Sequence, residues 1–465
     1  MNLSHEEENN QGLSLSKFES MLKTNKILFF DSEEFEDIIF HYMDTGKMNL
    51  AKKALKLALE QHPKSNDLKL VHVEMLIFEN KTDHAEKLLN ELYEIDPSNE
   101  EIYIQRATLY SKMNEHDKAI ESLKKALQFT DDLADMYSMI GMEYLFMDHL
   151  EEAKKYFILS LNEDNEDQTT FYNLVYCFDF LEQSNEAIDY LNAFIDKNPY
   201  SELAWHHLGR QYYYLKNYKK AVWAFDYATL IDEMFLGAYI EKAKTLEKLK
   251  RYKEAIECYN LTLELDDVTS FVLLRLAKCH EKIGNLDTAL EYYKKTVHED
   301  PLLDKAWIAI TDFYIRQKNF KKALYYVNKS IGIQADNKLY WKRFAYINKA
   351  LGFYEEADYG YQKAYDLGDN SLEIFTNWAD VLLHQGDIEI AIDILLSSTK
   401  KYANHPEIDY RLAGLYFSIN KTQKGTYHLI NALQHHFKNA TILEKQFPEV
   451  WDKKIIQNLI TRFKK

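Results

Sequence analysis

The sequence contains few of the residues that interrupt helices. It has only 13 glycines and 6 prolines in 465 residues, far below the usual frequencies of these two residue types. Lysine, glutamate, leucine and alanine, which favour helices, are abundant by contrast. The composition therefore predicts an all-helical protein.

Cysteine is equally scarce. The chain has three cysteines, Cys177, Cys258 and Cys279, and no two of them form a CxxC pair. An odd number of cysteines in a long chain argues against a disulfide framework and favours a reducing compartment. We interpret all three as small packing residues beside apolar helix positions, rather than as redox or nucleophilic groups.

Basic residues are outnumbered by acidic ones, and the formal net charge is −17. Proteins that bind nucleic acid generally need an excess of lysine and arginine, so nucleic acid is disfavoured as a partner. The apolar run at residues 27–30 is too short to span a membrane, and the polar, acidic first residues do not resemble a secretory signal. The sequence predicts a soluble, cytoplasmic protein without membrane insertion.

Catalytic and cofactor-binding motifs are also missing. The sequence contains no GxGxxG, GxxxxGK[ST], HExxH or GxSxG pattern, each of which marks a particular chemistry. Adjacent histidines, as in His206-His207 and His435-His436, point in different directions on a helix, so we interpret them as surface or groove residues. We predict no enzymatic activity, no cofactor and no metal site.

Small residues, by contrast, recur with a fixed period of 34. The series runs without insertion or deletion through eleven alanines, and its twelfth member is Gly425. Twelve units of 34 residues therefore cover residues 32–439. The eleven alanines are Ala51, Ala85, Ala119, Ala153, Ala187, Ala221, Ala255, Ala289, Ala323, Ala357 and Ala391.

Other residue types recur at fixed positions when each unit is numbered 1 to 34 from Ser32. Position 4 is aromatic in nine units, position 8 is alanine or glycine in eight, and position 24 is always a large apolar residue or tyrosine. These spacings predict two helices per unit, A and then B, which cross closely at small residues. Position 32, where a helix should stop, is proline in four units: Pro63, Pro97, Pro199 and Pro301.

This pattern resembles the tetratricopeptide repeat, whose period is 34 residues. The resemblance implies a right-handed α-solenoid of helix-turn-helix units, in a long bacterial-type array of about twelve repeats. We predict an N-terminal tail and capping helix in residues 1–31, tandem repeats in 32–439 and a C-terminal capping helix in 440–465. Asp31 and Glu34 have the spacing of a capping box at the first repeat helix.

The resemblance also implies that the A helices line a concave groove, which positions 2, 5, 6, 9, 12 and 13 face. At these positions the fifth and sixth units carry an aromatic cluster, and the seventh to tenth carry a basic cluster diluted by four acids. Lateral packing and a solvated charged face are the alternative interpretations. The predicted peptide-binding residues are Tyr172, Asn173, Tyr176, Phe180, His206, Arg210, Tyr213, Tyr214, Lys244, Lys248, Arg275, Lys278, Lys305 and Arg343.

Aromatic residues beside a basic stretch suit a peptide with acidic and apolar residues, because charge steers the encounter and the aromatic rings anchor it. We therefore predict a non-enzymatic scaffold that binds another protein or a peptide segment in the groove. RNA binding through the basic cluster and a structural or oligomeric assembly role are alternatives, and the oligomeric state is open. A two-carboxylate clamp, which some similar repeat domains use, is excluded because no unit has the required asparagine at position 9.

Overall fold

The computed structural model describes residues 14–24, 27–265 and 269–464, and these residues form helices joined by short turns, with no β-strand among them. The predicted tail at residues 1–13 lies outside the described ranges. Within those ranges, no helix combines the length and apolarity that crossing a membrane requires. The chain divides into two compact units, residues 1–217 and 218–465.

The first unit contains helices α1 to α12. Helix α1 covers residues 14–24 and packs Phe18 and Met21 into the core beside Phe35, as expected of a capping helix. The remaining helices are α2 (Ser32–Asp44), α3 (Met48–Gln61), α4 (Asn66–Phe78), α5 (Thr82–Ile95), α6 (Glu100–Lys112), α7 (His116–Ala126), α8 (Leu133–Phe146), α9 (Leu150–Glu163), α10 (Gln168–Phe180), α11 (Ser184–Lys197) and α12 (Glu202–Tyr214).

The second unit contains helices α13 to α28. Its repeat helices are α13 (Tyr218–Ile231), α14 (Leu236–Lys248), α15 (Tyr252–Leu265), α16 (Ser270–Lys282), α17 (Leu286–Glu299), α18 (Asp304–Arg316), α19 (Phe320–Ile333), α20 (Lys338–Leu351), α21 (Tyr354–Asp366), α22 (Leu372–Gln385), α23 (Ile388–Ser398), α24 (Pro406–Ser418) and α25 (Thr422–His436). A 3-10 turn (Phe437–Ala440) follows, and then α26 (Thr441–Gln446), α27 (Pro448–Trp451) and α28 (Lys454–Phe463).

Even-numbered helices from α2 to α24 are the predicted A helices, and odd-numbered helices from α3 to α25 are the B helices. The recurring small residues lie where neighbouring helices approach most closely. All eleven alanines of the 34-residue series are at most 1% exposed. On α8, a Cβ added to Gly141 would lie 2.6 Å from the ring of Phe157 on α9. The fold is therefore the predicted all-α solenoid of helix pairs.

Each A helix ends in a left-handed residue at the same position. Position 15 has a positive φ in all twelve repeats, from Gly46 to Asn420, and in eight of them the residue is not glycine. The next amide then bonds back to the A helix, as Lys47 does to the Tyr42 carbonyl at 2.8 Å. This is the hydrogen-bond pattern of a Schellman cap, and it fixes the turn between helices A and B.

A matched pair of substitutions on α11 tests the packing of these alanines. Ala187 is 1% exposed, whereas Ala193 on the same helix is exposed. Ala187→Leu is expected to lower the free energy of unfolding by about 1–3 kcal/mol through overpacking. Ala193→Leu should change it by less than about 0.5 kcal/mol. Chemical denaturation of both variants measures the difference, and equal effects would contradict the packing argument.

The three cysteines are all free and buried, which confirms their interpretation as packing residues. Burial raises the pKa of the Cys177 thiol to about 11 and that of Cys279 to about 12. Burial also raises the pKa of Cys258. Thiols with such raised pKa values carry little thiolate at neutral pH and are poor nucleophiles.

The last repeat is covered by the chain that follows it. Residues 440–465 were predicted as one capping helix, but the described part forms three short helices, because Pro448 starts a new helix at α27. Phe447, which precedes this proline, is buried against Gly414 of α24. Leu459 and Phe463 of α28 also contact the apolar core of the last repeats. An amphipathic end thus closes the second unit.

Candidate functional site

The aromatic residues predicted in the first unit lie on α10 and α12. Tyr172, Tyr176, Phe180 and Tyr214 are between 47% and 63% exposed, whereas Tyr213 is half-buried. We call these five residues the tyrosine patch. Such exposure is unusual for large aromatic side chains. These residues also occupy repeat positions other than 4, 8 and 24, which form the core.

Polar contacts connect the two helices beneath the tyrosine patch. Asp179 on α10 accepts hydrogen bonds from Gln211 at 2.6 Å and from Arg210 at 3.4 Å, both on α12. Arg210 also donates to the Tyr214 hydroxyl at 2.8 Å. Arg210 is therefore partly neutralised. The other predicted polar residue, Asn173, donates to the sulfur of Met142 at 3.2 Å.

The histidine pair on α12 is not at the surface. His207 is 2% exposed, so its interpretation as a surface or groove residue was wrong: the ring packs between Phe171 and the edge of Tyr172. His206 is half-buried beside it, with the two ring centroids 5.2 Å apart. Burial and the charge of Arg210 lower the pKa of His206 to about 4, and burial also lowers that of His207. Both rings are neutral at pH 7.

In the second unit, arginines pair with carboxylates on the preceding A helix. Arg275 of α16 lies 2.7 Å from Glu247 of α14, and Arg343 of α20 lies 2.8 Å from Asp312 of α18. Two further salt bridges join successive A helices in the same way: Arg316 lies 2.6 Å from Glu281, and Arg411 lies 2.9 Å from Asp380. We call this series the arginine ladder. The two predicted groove arginines, Arg275 and Arg343, therefore carry little free charge.

Tyrosines from the B helices hold two carboxylates of the arginine ladder in place. The Tyr259 hydroxyl donates to Glu247 at 2.8 Å, and the Tyr293 hydroxyl donates to Glu281 at 2.9 Å. Burial raises the pKa of both hydroxyls, so they stay protonated and act as donors. Position 24 therefore has a second role in these two repeats besides filling the core, because its tyrosine hydroxyl orients a glutamate side chain on the neighbouring A helix.

A cavity of about 790 Å³ opens between α14, α16 and α18, within the range of typical ligand sites. Phe271, Leu274, Ile308 and Ala309 provide its apolar floor. The arginine ladder crosses it through Glu247, Glu281 and Asp312. We call this cavity the lysine pocket, after four further lining residues: Lys248, Lys278, Lys282 and Lys305.

The four lysines have no counter-ion of their own. In the described ranges none of them lies within 4.0 Å of a carboxylate. Lys248, Lys282 and Lys305 are exposed, whereas Lys278 is half-buried. Burial lowers the pKa of the Lys278 ammonium group and Arg275 lowers it further, while Glu247 and Asp312 partly offset this lowering. The remaining predicted cation, Lys244, is paired with Glu241 at 2.8 Å.

Sequence reasoning selected three of these lysines but missed the floor of the pocket. Phe271, Leu274 and Ile308 occupy positions 2 and 5, which had been assigned to the groove. The repeat positions of these three residues already indicated that they face the groove. Among the groove positions, however, only charged and aromatic clusters were selected from the sequence. The pairing of the arginines with carboxylates could not be predicted from the sequence, because it depends on how far the side chains extend from one helix to the next.

Acidic residues dominate the A helices at the other end of the chain. Burial raises the pKa of Glu36 on α2, and repulsion from Asp67, Glu33 and Asp37 raises it further. Burial also raises the pKa of Glu74 on α4, and repulsion from Glu101 and Asp44 raises it further. The first repeats therefore carry negative charge that is only partly compensated, whereas the excess charge in the lysine pocket is positive.

Comparison with known proteins identifies the same repeat unit in several parts of the chain. Family models described as "Tetratricopeptide repeat" match residues 76–141, residues 134–167 and 236–268, and residues 271–302. Together they cover repeats on both sides of the division between the two units.

Two curated proteins are similar over part of the chain. Anaphase-promoting complex subunit 3 of Schizosaccharomyces pombe is 24% identical over 179 residues, which are 37% of this chain and 27% of that protein. The human protein O-mannosyl-transferase TMTC1 is 31% identical over 87 residues, or 19% of this chain and 10% of that protein. The chain thus spans less than a third of either relative.

Among solved structures, the APC/C hetero-tetramer Cut9-Hcn1 is similar with a TM-score of 0.39 and 16% identity, over 88% of this chain and 93% of the other. The C-terminal part of a TPR repeat-containing protein from Cytophaga hutchinsonii has a TM-score of 0.45 and 16% identity, over 51% of this chain and 97% of the other.

Proposed function

Because this chain is a tetratricopeptide-repeat protein, we propose that it is a non-enzymatic scaffold that binds a segment of a partner protein at the lysine pocket. Repeats of this kind typically serve protein interaction, and the relatives' own activities are not assigned to this chain. The observation that carries the proposal is a set of four lysines around an apolar floor, none of which forms an ion pair within the described part of the chain.

Charge and shape together indicate the chemistry of the partner segment. The arginine ladder is neutralised within the protein, so the lysines supply the net positive charge of the pocket. An acidic segment would be steered to these lysines, and an apolar side chain would be anchored on Phe271, Leu274 and Ile308. The proposed partner is therefore a protein segment with acidic and apolar residues.

The tyrosine patch is proposed as a second contact surface in the first unit. Exposed tyrosines provide large, rigid contact areas at low cost in conformational entropy, and Tyr172 and Tyr176 are both about half exposed. The buried, uncharged thiols of the chain support a reducing compartment, and we propose a cytoplasmic location on that basis.

The lysines of the pocket provide a direct test. Lys248→Gln/Lys278→Gln/Lys305→Gln is expected to reduce partner recovery roughly tenfold or more, because it removes three uncompensated charges from one site. The measurement is affinity purification from the native cell with quantitative mass spectrometry, followed by cross-linking to locate the partner.

The matched control is Lys253→Gln/Lys294→Gln/Lys321→Gln, which removes the same charge from exposed sites on B helices. It should recover partners as the unchanged protein does. Equal recovery by the pocket variant would refute the assignment of the pocket. Recovery that depends on RNA and disappears after nuclease treatment would point instead to RNA binding.

A further inference from the structure

The lysine pocket has more uncompensated positive charge than one carboxylate of a ligand would balance. Three carboxylates line the pocket, but each already has an arginine partner. Four lysines remain without a counter-ion in the described ranges. This excess rests on contacts within the protein and favours a ligand group that carries more than one negative charge.

The carboxylates cannot easily turn towards the lysines. Both nitrogens of Arg316 that contact Glu281 do so closely, at 2.6 and 2.9 Å, and the Tyr293 hydroxyl adds a third hydrogen bond. Glu247 is held through one oxygen, because its Oε1 accepts from Arg275 at 2.8 Å and from the Tyr259 hydroxyl at 2.8 Å. Glu281 is thus fixed through both oxygens and Glu247 through Oε1. Both acids are oriented by groups other than the lysines of the pocket.

Arginine and lysine have different roles in the pocket, and this difference indicates which kind of anion the pocket would bind. Planar guanidinium groups match planar carboxylates, and here they are used for the protein's own carboxylates. Lysine ammonium groups are compact charges with rotatable donors, which suit the oxygens of a tetrahedral anion. Lys278 is half-buried in the pocket, and a multiply charged anion would stabilise its ammonium form more than a singly charged one.

We propose that the lysine pocket binds a phosphorylated side chain of the partner segment, with an adjacent apolar side chain on the floor formed by Phe271, Leu274 and Ile308. A phosphorylated residue carries a charge of about −1.5 to −2 and three strong acceptor oxygens. The phosphate would contact Lys278 and the exposed lysines around it. This inference rests on the proposed function, since it specifies the partner at the same site.

Three degenerate peptide libraries of equal length test the proposal. Their central residue is fixed as phosphoserine, glutamate or serine, and their flanking positions are degenerate. The full-length protein is immobilised, and bound peptide is measured at moderate salt. We expect the phosphoserine library to be retained at least tenfold more strongly than either other library.

Substitutions of the pocket lysines test whether the retained phosphopeptides bind in the lysine pocket. Lys278→Gln/Lys305→Gln should abolish the preference for phosphoserine, whereas Lys253→Gln/Lys294→Gln should preserve it, with circular dichroism showing that both variants are folded. Lys278→Arg should keep part of it. Retention that is unchanged in Lys278→Gln/Lys305→Gln would overturn the proposal, because the phosphate would then bind elsewhere.

Other outcomes separate this inference from the proposed function. Equal retention of the glutamate and phosphoserine libraries, or retention of neither while the native partner still requires the lysines, overturns the phosphate inference and leaves the scaffold function standing. Displacement by inorganic phosphate or AMP at lower concentrations than a phosphopeptide would assign the pocket to a small phosphate compound instead. A native partner that binds independently of the lysines would overturn the proposed function itself.

Discussion

Phe447→Ala is expected to destabilise the last repeats by about 3–5 kcal/mol, the range for losing a buried phenylalanine. Phe447 is 5% exposed and contacts Gly414, where the ring occupies the space that a Cβ would need. It joins the C-terminal segment to α24. Hydrogen exchange of the α24 and α25 amides measures the effect locally, which is appropriate because repeat arrays often unfold in parts.

A double-mutant cycle shows whether this contact is the cause. Gly414→Ala alone should destabilise the protein by about 1–3 kcal/mol, since the new methyl group overlaps the Phe447 ring. In the Phe447→Ala background that overlap is gone, and the same change should become neutral or stabilising by up to about 1 kcal/mol, because alanine favours helices over glycine. Additive effects would contradict the described contact.

Acidification is expected to destabilise the end of the first unit. The pKa of His206 is lowered from 6.5 to about 4, and the pKa of His207 is lowered as well. Between these values the unfolded chain binds protons that the folded protein does not, so stability is full above pH 6.5 and falls as the pH drops towards 4. His206 alone accounts for a loss on the order of 3 kcal/mol.

The measurement compares denaturation midpoints at pH 7 and pH 4.5. His206→Gln/His207→Gln should lose much of the difference between the two midpoints, even if it is less stable at both, because the titrating groups are gone. His84→Gln removes an exposed histidine from α5 and should behave like the unchanged protein. A pH dependence that survives in the double variant would mean that other groups control the acid transition.

The fold could be predicted from the sequence because close helix packing requires a small residue once in every 34 residues. Ala289 and its equivalents lie where no larger side chain fits, so the period remains visible in a single sequence. The left-handed cap at position 15 was missed, although it occurs in every repeat. Lysine and glutamate adopt this conformation here as well as glycine and asparagine do, so no single residue type marks it.

The candidate site was only partly predictable for a different reason. The position rule placed Lys278 and Arg275 in the same groove, and both are indeed on the A helix α16. Only the structure separates them: Arg275 lies 2.7 Å from Glu247, whereas Lys278 lies within 4.0 Å of no carboxylate among the described residues. Reach across helices depends on side-chain length and rotamer, which the spacing of residues along one helix does not encode.

The arginine ladder has a consequence for how such a chain can change in length. Two of its links, from Asp312 to Arg343 and from Asp380 to Arg411, join the same positions of successive repeats, position 9 to position 6. An in-frame loss of residues 338–405 would therefore bring Asp312 opposite Arg411, and both of these ladder residues would keep a partner of opposite charge. The arginine ladder would thus survive the loss of these two repeats, and the lysine pocket, which lies entirely before residue 338, would keep its lining residues.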